Sequence, residues 1–181
     1  MKKLDRILQN WRYRVVEPYI PNGCRILDIG GFDGSFLRRI YHKIEKGVCI
    51  DPLIEENSEG RLEFLKARVM DKLPFSDSSF DVITMLAVYE HLGHFRNSIT
   101  SEICRVLRNH GLIILTVPSS AVDYIINILI KIKVIDGMSY EEHSHFKSSD
   151  IVKIFAKFDF KLKQWSRFQL GLNNLFIFEK L

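Results

Sequence analysis

The chain has 181 residues, 46% hydrophobic and 27% charged, with a formal net charge of +4, enough for one well-buried core and too little for two ordinary domains. Thirteen Phe, six Tyr and two Trp argue against disorder, and ten Gly with five Pro argue against collagen-like or low-complexity sequence. Cys24, Cys49 and Cys104 are odd in number and form no C-x-x-C pair, which speaks against a disulfide framework and a structural zinc site.

An amphipathic helix is expected over about Lys3–Tyr19, followed by a strand at Arg25–Ile29, a helix at Gly34–Ile44 and strands at Gly47–Asp51 and Arg61–Lys66. Phe80–Leu86 reads as the next strand, Phe95–Leu107 as a helix and Leu112–Val117 as a strand. Ser148–Phe158 then reads as a helix before strands at Lys161–Phe168 and Leu175–Glu179. This alternation is that of an α/β domain with a mainly parallel sheet. Asn109-His110-Gly111 is expected to close one helix, with Gly111 in the left-handed position, and Ser148-Ser149-Asp150 to cap another. The last two strands have no helix between them, which predicts an antiparallel hairpin closing the sheet.

Residues 1–181 are read as one domain, with an N-terminal helix over 1–20. The stretch Ala121 to Ile135 is interrupted by Asp123, Asn127, Lys131 and Lys133 and falls short of the ~20 residues that span a bilayer. Its polar stripe suits a helix packed as a substrate lid within 119–146, in preference to peripheral membrane contact. Met1 to Arg6 lacks an apolar signal core and a small-residue cleavage site, so a cytoplasmic protein is expected. Basic residues are scattered, which implies a solvated surface and no nucleic-acid partner.

The most informative stretch is Arg25-Ile26-Leu27-Asp28-Ile29-Gly30-Gly31-Phe32-Asp33-Gly34-Ser35, a strand, a glycine turn and a helix start. In a parallel sheet this is where backbone N–H groups meet a nucleotide-like ligand. A Walker A loop is absent, which disfavours phosphoryl transfer from ATP. A dinucleotide fingerprint from Gly30 would need glycine at 32 and Gly or Ala at 35, where Phe32 and Ser35 stand. Asp51 lies 21 residues beyond Gly30 at the end of the next strand, where a carboxylate can receive ribose hydroxyls.

These residues resemble the first motif of the class I S-adenosylmethionine-dependent methyltransferases, an acid followed by G-x-G-x-G; Asp28, Gly30 and Gly34 match, and Phe32 replaces the middle glycine. Leu73-Pro74-Phe75-Ser76-Asp77-Ser78-Ser79-Phe80-Asp81 resembles the L-P-F-x-x-x-S-F-D pattern of the small-molecule (type 11-like) members. Tyr89-Glu90-His91-Leu92 and Arg105-Val106-Leu107 continue the likeness, which covers about residues 20–120. It implies a three-layer Rossmann-like fold with a seven-stranded, mostly parallel sheet whose last strand is antiparallel.

The resemblance also implies S-adenosylmethionine as cofactor. Gly30, Gly31, Phe32 and Gly34 would run beside its methionyl part, with Asp28 near its ammonium and Asp51 at the ribose; Pro52 and Leu86 are further cofactor-binding candidates. The positions that flank adenine in the family fall on Val69 and Met70, so the usual adenine carboxylate is missing unless Asp71 supplies it. His91, His143 and His145 are the candidate bases, having side chains that titrate near neutrality. The pair His143 and His145 with Glu141 and Glu142 has no partner motif for a metal, and none is assigned. Met85-Leu86-Ala87-Val88-Tyr89 replaces the N-P-P-Tyr-like stretch of base-amino methyltransferases, and no cysteine follows a proline. A small-molecule, sugar or lipid-linked acceptor is expected; a noncatalytic S-adenosylmethionine-binding or protein-interaction module is the alternative.

Overall fold

Near-continuous apolar runs such as those of Cys24–Ile29 and Phe80–Leu86 need both faces covered, and helices supply the cover. The computed structural model describes residues 3–69, 72–119 and 148–181. Helix α1 (Lys3–Val16) and a 3-10 turn (Glu17–Tyr19) lead into β1 (Cys24–Ile29), α2 (Ser35–Arg39), β2 (Ile44–Ile50), β3 (Asn57–Glu59) and β4 (Leu62–Leu65). After β5 (Phe80–Leu86) come a 3-10 segment (Tyr89–Phe95), α3 (Arg96–Val106) and β6 (Leu107–Pro118). Then follow α4 (Ser148–Phe155), a 3-10 turn (Ala156–Phe158), β7 (Phe160–Phe168) and β8 (Asn173–Lys180).

The strands form one sheet in the order β3-β4-β2-β1-β5-β6-β8-β7. Pairings among β4, β2, β1, β5 and β6 are parallel, while β8 is antiparallel to both β6 and β7. The expected antiparallel last strand is present, inserted between β6 and β7 instead of closing the edge. Eight strands replace the expected seven because Asn57–Glu59 pairs antiparallel with β4. That strand has no buried side chain and therefore no apolar pattern; the Arg38–Glu59 ion pair at 2.6 Å ties it to α2.

On one face, Tyr13, Val16, Phe36 and Leu37 of α1 and α2 pack on Ile26, Cys49, Val82 and Ile114. On the other, Ile99, Ile103, Ile151 and Phe155 of α3 and α4 pack on Leu27, Val48, Ile83 and Ile113. The three layers are those expected.

Three local expectations change. Helix α2 ends at Arg39 because the i, i+4 pair Ile40 and Ile44, both buried in one cluster, belongs to a turn and a strand. α3 ends at Val106, and the left-handed residue after it is His110 (φ +61°), not Gly111. Gly111 is needed for another reason: a Cβ there would stand 2.8 Å from the Arg108 carbonyl oxygen. Ser148 and Asp150 lie inside the first turn of α4.

The described residues of the connection from β4 to β5 form no regular helix, and α3 fixes them by hydrogen bonding. Arg105 donates to the carbonyls of Phe75 (2.8 Å) and Leu73 (3.0 Å) and to Asp77 Oδ1 (2.7 Å), while Glu102 accepts the Leu73 N–H at 2.9 Å. The Leu73-to-Asp77 motif and Arg105 are therefore two halves of one clamp. Of the expected lid, 119–146, only Ser119 falls among the described residues.

Candidate cofactor site

The site lies at the carboxyl ends of β1, β2 and β5. The Gly30 N–H donates to the Ile50 carbonyl at 2.8 Å, extending the β1–β2 ladder one residue into the turn. Three residues of the turn then take positive φ: Gly30 (+74°), Phe32 (+52°) and Gly34 (+70°). A Cβ on Gly31 would fall 2.4 Å from Asp28 Oδ2 and 2.5 Å from Cys49 Sγ, so only glycine lets the backbone lie this close to the acid. Phe32, at the motif's middle position, adopts a left-handed conformation that glycine takes most readily, with its ring half exposed.

Asp51 organises this loop. Its Oδ2 accepts the Phe32 N–H at 3.0 Å and its Oδ1 accepts the Leu53 N–H at 2.8 Å. Each oxygen keeps a lone pair for a further donor. Asp28 is buried at 1% exposure between β2 and β5; Thr84 Oγ1 donates to its Oδ1 at 2.7 Å, and its Oδ2 is buried without a partner. Burial pushes the Asp28 carboxyl up to about 7; the Thr84 hydrogen bond opposes the rise, while Asp51 and Asp33 add to it.

A cavity of about 230 Å³ opens over the turn, lined by Asp28, Gly30, Gly31, Phe32 and Leu86 from the sequence-derived set, with Ala87 and Phe36. Helix α1 supplies its remaining wall, Gln9, Arg12 and Tyr13. These three were not singled out from the sequence. The signal available was Trp11-Arg12-Tyr13 on a helix placed directly before β1. Arg12 Nε is buried without a hydrogen-bond partner. Burial draws its guanidinium below its ordinary value, with Glu90 opposing. Tyr13 shares a 2.8 Å hydrogen bond with Ser35 Oγ, and burial pushes its phenol up to about 12.

Of the other expected residues, Gly34 starts α2, where a Cβ would meet Phe64 at 2.2 Å. Pro52 is exposed, and Val69 is half-buried against the α3-side core. Met70, Asp71, His143 and His145 lie outside the described residues. His91 is exposed on the 3-10 segment; its neighbour Glu90 is the buried one, at 3% exposure, with Oε2 unpartnered. Burial raises the Glu90 carboxyl to about 7, opposed by its own N–H, Arg12 and Arg96. No group of three metal-ligating side chains is found among the described residues.

This donor set suits a zwitterion, not a polyphosphate: one cavity holds a carboxyl and a guanidinium, each with an orphaned polar atom. Residues 27–115 match the methyltransferase domain family. Solved structures share the fold at low identity. The PH0226 protein of Pyrococcus horikoshii is 18% identical with a TM-score of 0.73, covering 99% of this chain and 92% of that one. An S-adenosylmethionine-dependent methyltransferase of Mesorhizobium loti is 13% identical with a TM-score of 0.72, covering 93% and 97%. One from Aquifex aeolicus is 15% identical with a TM-score of 0.68, covering 94% and 89%. No curated protein matches the sequence.

The chain thus has the fold of the S-adenosylmethionine-dependent methyltransferases and, over residues 27–115, matches a methyltransferase domain. The domain match and these neighbours imply S-adenosylmethionine as the cofactor, and no described helix is long and apolar enough to cross a membrane.

Proposed function

We propose that this enzyme methylates an O, N or C atom of a small-molecule, sugar or lipid-linked acceptor, acting in the cytoplasm as one domain with residues 119–146 as its lid. The observation that carries the reading is the pairing of Asp28 and Arg12 in one cavity, each with a buried atom lacking a partner. Asp28 would receive the cofactor's ammonium and Arg12 its carboxylate. Gly30, Gly31, Phe32 and Gly34 would lie along the methionyl chain, and Asp51, beside Pro52, would take the ribose hydroxyls. Leu86, Val69, Met70 and Asp71 complete the nucleoside side.

The bound cofactor supplies a methyl group on a sulfonium that is already a good leaving group. The chain's own work is then to hold the acceptor in line, exclude water and take its proton where one must leave. Asp28, Arg12 and the glycine turn fix the amino-acid end. His91, His143 and His145 are the proposed bases on the acceptor side. The left-handed Phe32, held by Asp51, keeps the turn open without the family's middle glycine, which favours the enzyme over a noncatalytic binder.

The test is transfer of labelled methyl groups from S-adenosylmethionine to fractionated small-molecule and lipid extracts. Label in one fraction, lost with Asp28→Asn, supports the reading; cofactor binding with no labelled acceptor in any fraction supports the noncatalytic alternative.

A further inference from the structure

Helix α1 has two apolar faces. Tyr13 and Val16 are buried against the sheet, but in the first turns Ile7 is 60% exposed, Leu8 37% and Trp11 39%. Their spacing places them on one stripe of the helix. Exposed Arg6 and Arg14 stand on the same helix, and Lys2 and Lys3 precede them in sequence. Gln9 and Arg12 line the cavity wall, and Arg12 is the i, i+4 neighbour of Leu8, so the stripe borders the cofactor site.

The β7–β8 turn extends the stripe. Gln169, only 3% exposed, donates to the Leu8 carbonyl at 2.7 Å and accepts from Asn173 at 2.6 Å. The next residue, Leu170, is 92% exposed. Gln169, Leu170 and Gly171 take φ of +51°, +57° and +84° in succession. Two consecutive non-glycine residues in the left-handed region are strained, and such strain persists only where the surroundings over-determine it. Here the Gln169 side chain does so, with N–H bonds from Gly171 to the Phe168 carbonyl and from Leu172 to the Gln169 carbonyl, both 3.1 Å. The fold thus holds a leucine out in water, at a cost that its own packing does not explain.

We propose that Ile7, Leu8, Trp11 and Leu170 form a docking surface for an anionic phospholipid bilayer, which sets the mouth of the cofactor cavity at the membrane and makes the acceptor one presented there. Apolar side chains including a tryptophan, flanked by arginines, are the composition of a helix lying in the headgroup layer: the apolar groups enter the acyl boundary and the cations meet lipid phosphates. Four partly exposed side chains fall short of the roughly 800 Å² per partner of a stable protein interface. The statement about the acceptor rests on the methyltransferase reading; the surface itself does not.

The experiment uses the full chain with phosphatidylcholine vesicles, with and without about one third phosphatidylglycerol. Trp165→Phe leaves Trp11 as the single tryptophan reporter. Its emission is expected to shift to the blue with the anionic vesicles and little with the neutral ones, and the protein to float with the former. Ile7→Ser and Leu170→Ser are each expected to weaken vesicle binding about tenfold, and about 0.5 M salt to weaken it further, while titration with S-adenosylmethionine stays unchanged. Absence of flotation, equal binding to neutral vesicles, or full binding by both serine variants overturns the proposal. So does a dimer in sedimentation that these variants dissolve while vesicles go unbound. Loss of cofactor binding with vesicle binding intact would count against the methyltransferase reading alone.

Discussion

Thr84 Oγ1 donates to Asp28 Oδ1 at 2.7 Å between neighbouring parallel strands, and the other oxygen of Asp28 is left buried without a partner beneath Gly31. One oxygen is fixed by the fold, and the other is the one proposed to receive the cofactor's ammonium. Asp28→Asn keeps an acceptor for Thr84 and removes the charge. S-adenosylmethionine affinity is expected to fall by about 1.5–3 kcal/mol, the usual worth of a hydrogen bond to a charged group. Unfolding by denaturant at pH 8 is expected to show an unliganded protein no less stable than before, since a buried, partly unsatisfied charge has been removed.

The pH dependence of stability has a definite sign. Burial raises both Asp28 and Glu90 to about 7, from ordinary values of 3.8 and 4.5. Across that window the folded chain holds protons the unfolded chain has released, so stability falls as pH rises and the loss is complete above about 7. The unliganded Tm is therefore expected to be higher at pH 5 than at pH 8. Cofactor affinity is expected to run the other way: under the proposed contact the ammonium needs the Asp28 carboxylate, so binding strengthens as pH rises through 7. Calorimetry at both pH values checks both slopes.

Much of this was legible in the chain because the central strands are apolar on both faces. Phe80–Leu86 is bounded as expected, and the Asp28, Gly30 and Gly34 spacing marked the tight turn between β1 and α2. What escaped had weaker local signals. Asn57–Glu59 buries nothing, so no hydrophobic period betrays it. Ile40 and Ile44 read as successive turns of a helix because a turn and a strand happen to bury them in one cluster. Arg12 was missed because its partners in the cavity come from β1 and the turn beyond β5, and only the fold brings α1 over them. His91 stood out by residue type, yet the buried acid beside it, Glu90, is the group the backbone turns inward.

The clamp between α3 and the β4–β5 connection is testable separately from the cofactor. Arg105→Ala removes donors to Phe75, Leu73 and Asp77. A loss of about 1–3 kcal/mol is expected, moderated by the partial exposure of the arginine. Arg105→Lys is expected to recover little of it, since one ammonium cannot span the same acceptors. Denaturant unfolding of both variants gives the comparison.

Acid–base work is tested by His91→Ala, His143→Ala and His145→Ala at saturating cofactor, once an acceptor is in hand. The variant lacking the base is expected to lose about 10²–10⁴-fold in turnover with cofactor affinity preserved. Normal turnover in all three would mean that placement alone carries the reaction.

The central claim is that Asp28 and Arg12 recognise the amino-acid end of S-adenosylmethionine, and titration calorimetry tests it most directly. The unmutated chain is expected to bind S-adenosylmethionine at one site and to bind 5′-methylthioadenosine, which lacks the ammonium and carboxylate, far more weakly. Arg12→Gln is expected to narrow that difference by about tenfold or more. No saturable heat with S-adenosylmethionine, or equal affinity for the two ligands in the unmutated chain, would contradict the account.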